Sequence, residues 1–137
     1  MVDARARGPC LGVRLMDRNG SLQGVLDGLA ASPGMVGAVL VSRDGFCMMK
    51  ACNRLSNPEV FSAMAAAFVG AAEAALLELG EGGAPRILVE TPHTRLLALP
   101  ATEGMLLIAI AQTDMEPAAL EPRVEDAAVR ISVLVKG

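Results

Sequence analysis

The chain has 137 residues, a formal net charge of −3 at pH 7 and a hydrophobic content of 53%, but its only aromatic residues are three phenylalanines. This length suits one domain with a sizeable core, which must be built from aliphatic side chains. The acidic balance and the shortage of aromatic rings argue against nucleic-acid binding, which uses basic patches and stacking platforms. The N-terminus lacks an apolar signal core and Glu73 interrupts the best candidate for a membrane span, Val60 to Ala72, so we expect a soluble, cytoplasmic protein without membrane insertion.

The beginning of the chain carries scattered charges, glycine and proline without a sustained hydrophobic period. We therefore predict a loosely ordered leader over residues 1–20 and a single domain over residues 21–137. The domain opens with a short helix that Ser21 caps and Pro33-Gly34 ends. Its apolar residues follow the spacing of one helix face: Leu22, Val25, Leu26 and Leu29.

A β-hairpin is predicted next. Met35 to Val41 is a continuous apolar run, and Phe46 to Cys52 forms a second strand after it. Between them Arg43-Asp44-Gly45 supplies a turn, because Asp-Gly tolerates positive φ.

The sequence then predicts a long helix from Pro58 to Leu79. Asn57 is a suitable N-cap, Pro58 occupies the first position, where a missing N–H costs nothing, and Gly80 can end the helix. The helix is apolar apart from three glutamates: Glu59, Glu73 and Glu78. Such a helix is too apolar to present one face to water, so a second surface is expected to cover it.

Large and small residues of this helix are expected on opposite sides. At 100° per residue, the larger side chains share one face, which we expect to pack on the sheet: Phe61, Met64, Ala65, Phe68, Ala72, Ala75, Leu76 and Leu79. The opposite face suits close approach of a second helix and consists of Ala63, Ala66, Ala67, Gly70, Ala74 and Leu77. This pattern favours a homodimer; the alternative is a central helix covered on both sides within one monomer.

Three more strands and a helix complete the chain. Arg86 to Thr91 and Thr94 to Leu99 form strands around a Pro92-His93 turn, and Gly104 to Ala111 forms the fifth strand. A final amphipathic helix is indicated by apolar residues spaced four and three apart, with Pro122 tolerated near its start: Leu120, Val124, Ala127, Ile131 and Leu134.

The predicted order is α-β-β-α-β-β-β-α, which describes an α+β fold with a five-stranded antiparallel sheet and helices on both faces. The two uncharged strands, Met35 to Val41 and Met105 to Ala111, should be central, while strands with charges should lie nearer the edges. If the strand after the long helix is an exposed edge, a second copy can continue the sheet there. Its residues therefore join the small helix face in the predicted dimer interface: Arg86, Ile87, Leu88, Val89 and Glu90.

An ordered set of short motifs over residues 21–135 resembles the Roadblock/dynein light chain family. The motifs are Pro33-Gly34-Met35-Val36-Gly37-Ala38, Val41-Ser42-Arg43-Asp44-Gly45, Ala71-Ala72-Glu73-Ala74, Leu79-Gly80-Glu81-Gly82, Ile87-Leu88-Val89-Glu90 and Leu106-Leu107-Ile108-Ala109. The resemblance implies a profilin-like fold in which two subunits pair through the long middle helix and the third strand. The implied counterpart is an MglB-like bacterial or archaeal member.

The resemblance also implies a function exerted through partners. MglB-type members are similar dimers that bind a Ras-like small GTPase and promote hydrolysis, whereas eukaryotic relatives serve as dynein light chains or scaffold subunits. We therefore expect a homodimeric module that binds a Ras-like small GTPase and modulates its nucleotide cycle. The alternative is a non-catalytic adaptor within a larger, dynein-light-chain-like assembly, which would leave GTP hydrolysis and exchange unchanged.

Nothing in the sequence indicates an enzyme, a cofactor or a metal site. The single histidine, His93, lies in a predicted turn, and no nucleophile elbow or metal-ligand spacing is found. Gly80-Glu81-Gly82-Gly83 lacks the GK[ST] of a phosphate-binding loop and follows a helix instead of preceding one, so the chain is not expected to bind GTP itself.

Arginine remains as a group through which the chain could act on a GTPase, because a guanidinium can stabilise transition-state charge. Arg43 in the hairpin turn and Arg54 before the long helix are the candidate partner contacts. Reshaping of the GTPase switch loops by differential binding is the mechanism that we favour over a donated arginine.

The three cysteines, Cys10, Cys47 and Cys52, are odd in number and show no CxxC spacing. Neither a disulfide framework nor a zinc site is therefore indicated, and we expect the cysteines to pack as small apolar residues. A thiol-dependent function would require Cys47 or Cys52 to be exposed and reactive.

Overall fold

The computed structural model describes residues 14–83 and 85–136, with side-chain surroundings from Ser21 onward. Three helices and five strands follow each other in the predicted order. They are α1 (Arg14–Ala31), β1 (Met35–Ser42), β2 (Cys47–Ala51), α2 (Pro58–Glu78), β3 (Ile87–Glu90), β4 (Thr94–Thr102), β5 (Met105–Gln112) and α3 (Pro117–Lys136). Residues 1–13 of the predicted leader lie outside the described residues.

The first helix begins earlier than predicted. Ser21 lies inside α1 and is exposed, so its assignment as the N-cap was wrong. The residues before Ser21 show no sustained hydrophobic period, yet residues 14–20 continue the same helix, because weak helix formers are tolerated within a longer helix. The predicted apolar stripe is confirmed, since Leu22, Val25, Leu26 and Leu29 are all buried.

The five strands form one antiparallel sheet in the order β2-β1-β5-β4-β3. The predicted central position of β1 and β5 is confirmed, and β2 and β3 are the edges. β4 is also interior, although its arginine suggested a position nearer an edge. The Arg95 guanidinium is accommodated because it donates to the carbonyl oxygen of Met115 and its Nε lies 2.8 Å from a carboxylate oxygen of Glu90.

Helices cover both faces of this sheet. α1 and α3 pack on one face, against side chains that include Leu40, Leu97 and Leu107. α2 packs on the other face, where Val39 and Ile108 are fully buried. The uncharged runs of β1 and β5 follow from this arrangement, because alternate side chains are buried on opposite faces.

The last helix packs as predicted. The stripe residues Leu120, Val124, Ala127 and Ile131 are buried, and Leu134 packs against the same core. Pro122 is the sixth residue of α3, near the start of the helix but inside it, so it removes one internal backbone hydrogen bond.

The predicted signals at both ends of α2 are confirmed. The side chain of Asn57 accepts a hydrogen bond of 3.1 Å from the backbone N–H of Val60, and Pro58 is the first helical residue. Gly80 adopts φ +78° after the helix, and its N–H donates to the carbonyl oxygen of Leu77 at 2.9 Å. A positive φ favours glycine at this helix end.

The faces predicted for α2 were partly wrong. The helix packs on the sheet through Ser62, Ala65 and Val69, which are its buried residues. Phe61, Phe68, Ala72 and Leu76 of the predicted sheet face are half-buried, but three others are exposed: Met64, Ala75 and Leu79. Side-chain size was a poor guide to the orientation of the helix. Both sides are apolar, so the sequence contains no polar face that identifies the side exposed to water.

By length and composition alone, and with Glu73 included, α2 could cross a membrane, but a single helix of this kind is weak evidence because core helices of other proteins pass the same test. Among the helices that the structure describes, α2 alone passes that test. In the structure it lies along the sheet and buries the three residues named above against it.

Candidate functional site

The outer face of α2 presents a continuous apolar surface. No charged residue occurs between Val60 and Ala72. Met64 is 59% exposed and Leu77 is 66% exposed. Five of the six small-face residues predicted as a dimer contact are exposed, namely Ala63, Ala67, Gly70, Ala74 and Leu77, whereas Ala66 is half-buried.

The hairpin turn already occupies one flank of this helix. A Cβ added at Gly45 would lie 3.3 Å from the Cα of Ala63 and 3.9 Å from the Cβ of Ala66, so these two alanines face their own chain. The part of the apolar surface that remains open is therefore centred on Val60, Met64, Ala67, Ala71 and Ala74. Val60, Met64 and Ala71 were not included in the predicted contact face. The feature of the sequence that could have identified them is the absence of charged residues from 60 to 72, not the size of their side chains.

The edge strand β3 divides its side chains between the two faces of the sheet. Ile87 pairs with Ala98 and Val89 with Leu96, so both lie on the α2 face. Ile87 is half-buried and Val89 is 40% exposed. α2 lies closest to β1 and β2, which leaves this far end of the same face only partly covered.

The other three residues predicted at this edge make contacts within the chain. Leu88 packs on the opposite face with α1 and α3. Arg86 pairs with two carboxylates of α3, at 3.2 Å from Glu121 and 2.5 Å from Glu125. Glu90 pairs with Arg95 of β4. The side chains of Arg86 and Glu90 thus bind residues of their own chain. The part of β3 that is left for a partner is its backbone.

The two sheet edges differ in how their backbones are used. At β2, the carbonyl oxygen of Lys50 accepts a hydrogen bond of 3.0 Å from Nε2 of Gln23 in α1. Within the described ranges, β3 pairs only with β4. Unpaired strand edges are sites for strand addition, so β3 is the better candidate for pairing with a second chain.

The two candidate arginines have different surroundings. Arg43 was expected to be exposed, but its Nη1 donates to both carboxylate oxygens of Glu73 and its side chain is 30% exposed. Its guanidinium is therefore already engaged by the chain. Arg54 is exposed in the segment between β2 and α2. The structure does not bring the two arginines together into one cluster with other polar groups.

The described residues contain no group of three or more His, Cys, Asp or Glu side chains placed to hold a metal ion. His93 is exposed in the β3–β4 turn, where its backbone N–H donates to Oγ1 of Thr91 at 3.3 Å. Cys47 is half-buried and Cys52 is buried, both as free thiols, whereas Cys10 lies outside the described residues.

Comparison with known proteins identifies the family. The profile of the Roadblock/LC7 domain matches residues 22–111. The chain belongs to the Roadblock/LC7 domain family. Two uncharacterized proteins of Methanocaldococcus jannaschii are each 32% identical to this Roadblock/LC7 chain over 84 residues, which is 61% of this chain and 74% of each relative.

Solved structures share the fold at lower identity. Myxococcus xanthus MglB matches with a TM-score of 0.79 at 16% identity, over 85% of this chain and 95% of that one. An MglB with a tetrameric arrangement matches with a TM-score of 0.80 at 17% identity, over 93% of each chain. Acanthamoeba castellanii profilin II matches with a TM-score of 0.59 at 15% identity, over 82% and 97% of the two chains. The Roadblock/LC7 fold of this chain is therefore profilin-like, as the resemblance implied.

Proposed function

We propose that this Roadblock/LC7 chain is a cytoplasmic homodimeric module that binds a Ras-like small GTPase and modulates its nucleotide cycle. The observation that carries the proposal is the open apolar face of α2 in a chain whose fold is that of MglB. Large exposed apolar surfaces are unusual in monomers and mark sites of protein association.

Two features of one monomer support homodimer formation. The open face of α2 exposes Val60 and Met64 by 54% and 59%. On the same side of the sheet, β3 is an edge strand and Val89 is 40% exposed. A second copy that continued the sheet at β3 would place its own α2 on the same face of the extended sheet, so both features lie on the side where the two copies meet.

The proposed action on the GTPase is conformational. Because Arg43 is paired with Glu73, donating it to a GTPase active site would break a half-buried ion pair. Preferential binding to one arrangement of the GTPase switch loops requires no such group from this chain. Arg54, which is exposed, remains the candidate for a direct contact with the partner.

The second candidate function is a passive adaptor. It is favoured by the same apolar surfaces, because a scaffold subunit also needs a dimer and an exposed contact face. The two functions differ in one respect: only a regulator changes the rate of GTP hydrolysis or nucleotide exchange when the GTPase is saturated with it.

The experiment has two stages. Affinity capture from the source organism's lysate, with a non-hydrolysable GTP analogue or with GDP, selects a Ras-like GTPase whose retention depends on the nucleotide. Hydrolysis and exchange by that purified GTPase are then measured against increasing concentrations of this protein. A saturable change in either rate supports regulation. Binding without a change, or capture of a nucleotide-independent partner in place of a GTPase, supports the adaptor. No binding of any Ras-like GTPase contradicts the proposed regulation.

A matched pair of variants tests whether the dimer is involved. Ala67→Glu places a charge on the open face of α2 and should yield a monomer that no longer affects the GTPase. Ala31→Glu makes the same change at an exposed alanine at the end of α1 and should retain both properties. A dimeric Ala67→Glu protein would contradict the assignment of this helix face.

A further inference from the structure

The outer face of α3 carries a second exposed apolar patch, on the opposite side of the sheet from α2. Val129 is 61% exposed and Val133 is 65% exposed. They project away from the buried stripe of the helix, and within the described part of the chain nothing covers them. Because the two valines are one helical turn apart, they form a small apolar patch. Such a patch indicates a contact surface, whereas a single exposed apolar residue does not.

Two opposite charges flank the valines. Asp126 precedes Val129 by about one turn, and Lys136 follows Val133 by about one turn. The carboxylate of Asp126 lies 3.8 Å from Nη1 of Arg130, but both side chains are more than 60% exposed, at 70% and 63%. Such a pair contributes little, so the Asp126 carboxylate can still bind another cation.

The spacing of these four residues is self-complementary. Consider two copies of α3 that lie antiparallel and cross at the level of residue 131. Val129 of each copy then faces Val133 of the other, and Asp126 faces Lys136 of the other. A single two-fold axis thus matches apolar to apolar and acid to base, each twice, as an isologous contact requires.

We propose that this α3 face, made of Asp126, Val129, Val133 and Lys136, binds the α3 face of a second copy in antiparallel orientation. The contact does not depend on a GTPase partner. Because α2 and α3 lie on opposite faces of the sheet, one chain can use both surfaces at once, so homodimers can be joined through α3 into a larger assembly. The patch is small beside the roughly 1,600 Å² of a standard interface, so association should be weak and should weaken further with added salt.

The test is sedimentation equilibrium of the full chain over a wide concentration range, with charge-reversal variants. In Asp126→Lys, the new lysine of each copy would face Lys136 of the other copy. In Lys136→Asp, the new aspartate of each copy would face Asp126 of the other copy. Each single variant should weaken this association by about tenfold or more, which corresponds to about 1.4 kcal/mol. The double variant, in which the two charges are exchanged, should restore association to within about threefold of the native protein.

A matched control separates this contact from general charge effects. Asp114→Lys changes the net charge equally at an exposed position in the turn before α3, outside the proposed face, and should associate like the native protein. All variants should keep their melting temperatures, because the exchanged side chains are exposed.

Three results would overturn the proposal. The first is a single mass for the native chain at every concentration, and the second is failure of the exchanged pair to restore association. The third is a lower melting temperature for Val129→Glu with unchanged mass, which would show that the chain's own residues cover this face. The outcome is distinguishable from that for the α2 contact, because Ala67→Glu should remove the α2 dimer and leave the α3 contact in place.

Discussion

Nη1 of Arg43 lies 2.8 Å and 2.7 Å from the two carboxylate oxygens of Glu73, which ties the β1–β2 turn to the C-terminal half of α2. The two side chains are 30% and 25% exposed. The same turn contacts α2 at Gly45. Its φ of +98° is unfavourable for other residues, and an added Cβ would lie 3.3 Å from the Cα of Ala63. The single charge that interrupts the apolar centre of α2 therefore has a structural partner.

Removing either member of this pair should destabilise the domain. Arg43→Met leaves the Glu73 carboxylate half-buried without its cation, so the free energy of unfolding should fall by about 1–3 kcal/mol. Glu73→Gln should also be destabilising, and the double variant should lose less than the sum of the two. Urea denaturation of the three variants measures this coupling, and additive losses would show that the pair is energetically silent.

The same variants distinguish a structural arginine from one donated to a GTPase. If Arg43 only anchors the turn, Arg43→Met and Glu73→Gln should affect the GTPase to the same degree at a temperature where both variants are folded. A loss of activation confined to Arg43→Met would contradict the structural role, since it would show that the guanidinium acts on the partner.

Local signals in the sequence were sufficient for most of the fold. Caps, stops and turns depend on a few adjacent residues, so Asn57, Gly80 and the Asp44-Gly45 turn could be assigned correctly. The unbroken apolar runs of β1 and β5 identified the centre of the sheet. Caps and turns depend on local backbone chemistry, and uncharged strands result from burial on both faces of the sheet. Both can be recognised in a single sequence.

The orientation of α2 and the partners of its neighbours could not be predicted in the same way. A helix that is apolar all round has a weak directional pattern, so Met64 was assigned to the sheet face although it is exposed, and the buried Ser62 was assigned to neither face. The Arg43–Glu73 pair joins residues 30 apart and depends on how the turn packs against the helix. The partner-binding surface depends likewise on tertiary packing, and sequence spacing alone does not contain it.

Ser62, the buried polar residue of α2, provides a further prediction. Its side chain is 0% exposed, and its Oγ has no hydrogen-bond partner among the described atoms. Ser62→Ala removes this unsatisfied hydroxyl and introduces a better helix former, so the free energy of unfolding should rise by about 1 kcal/mol. Ser21→Ala, at an exposed serine of α1, should show only the smaller propensity gain, and thermal unfolding of both variants makes the comparison.

Gly37 is required where β1 approaches the end of β2. A Cβ there would lie 2.4 Å from the Cβ of Cys52 and 2.9 Å from the carbonyl oxygen of Ala51. Gly37→Ala should therefore cost about 1–3 kcal/mol of stability through overpacking. Gly24→Ala is the matched control, since a Cβ at that helical glycine meets nothing within 4 Å, and it should stabilise the protein. Equal melting temperatures for the two variants would contradict the steric argument.

Gly70 tests the open face of α2 through a change that the monomer itself should tolerate. A Cβ at Gly70 meets nothing within 4 Å, and the residue is exposed in the middle of the helix. Gly70→Leu should therefore favour the helix of a monomer, while its bulk should obstruct close approach of a second α2 at a cost of about 1–3 kcal/mol. In sedimentation equilibrium, the dissociation constant of the dimer should rise by about tenfold or more. Gly28→Leu makes the same substitution at an exposed glycine of α1 with equally open surroundings and should leave the dimer unchanged. A native-like dimer of Gly70→Leu would place the contact elsewhere on the helix, towards Met64 and Ala71.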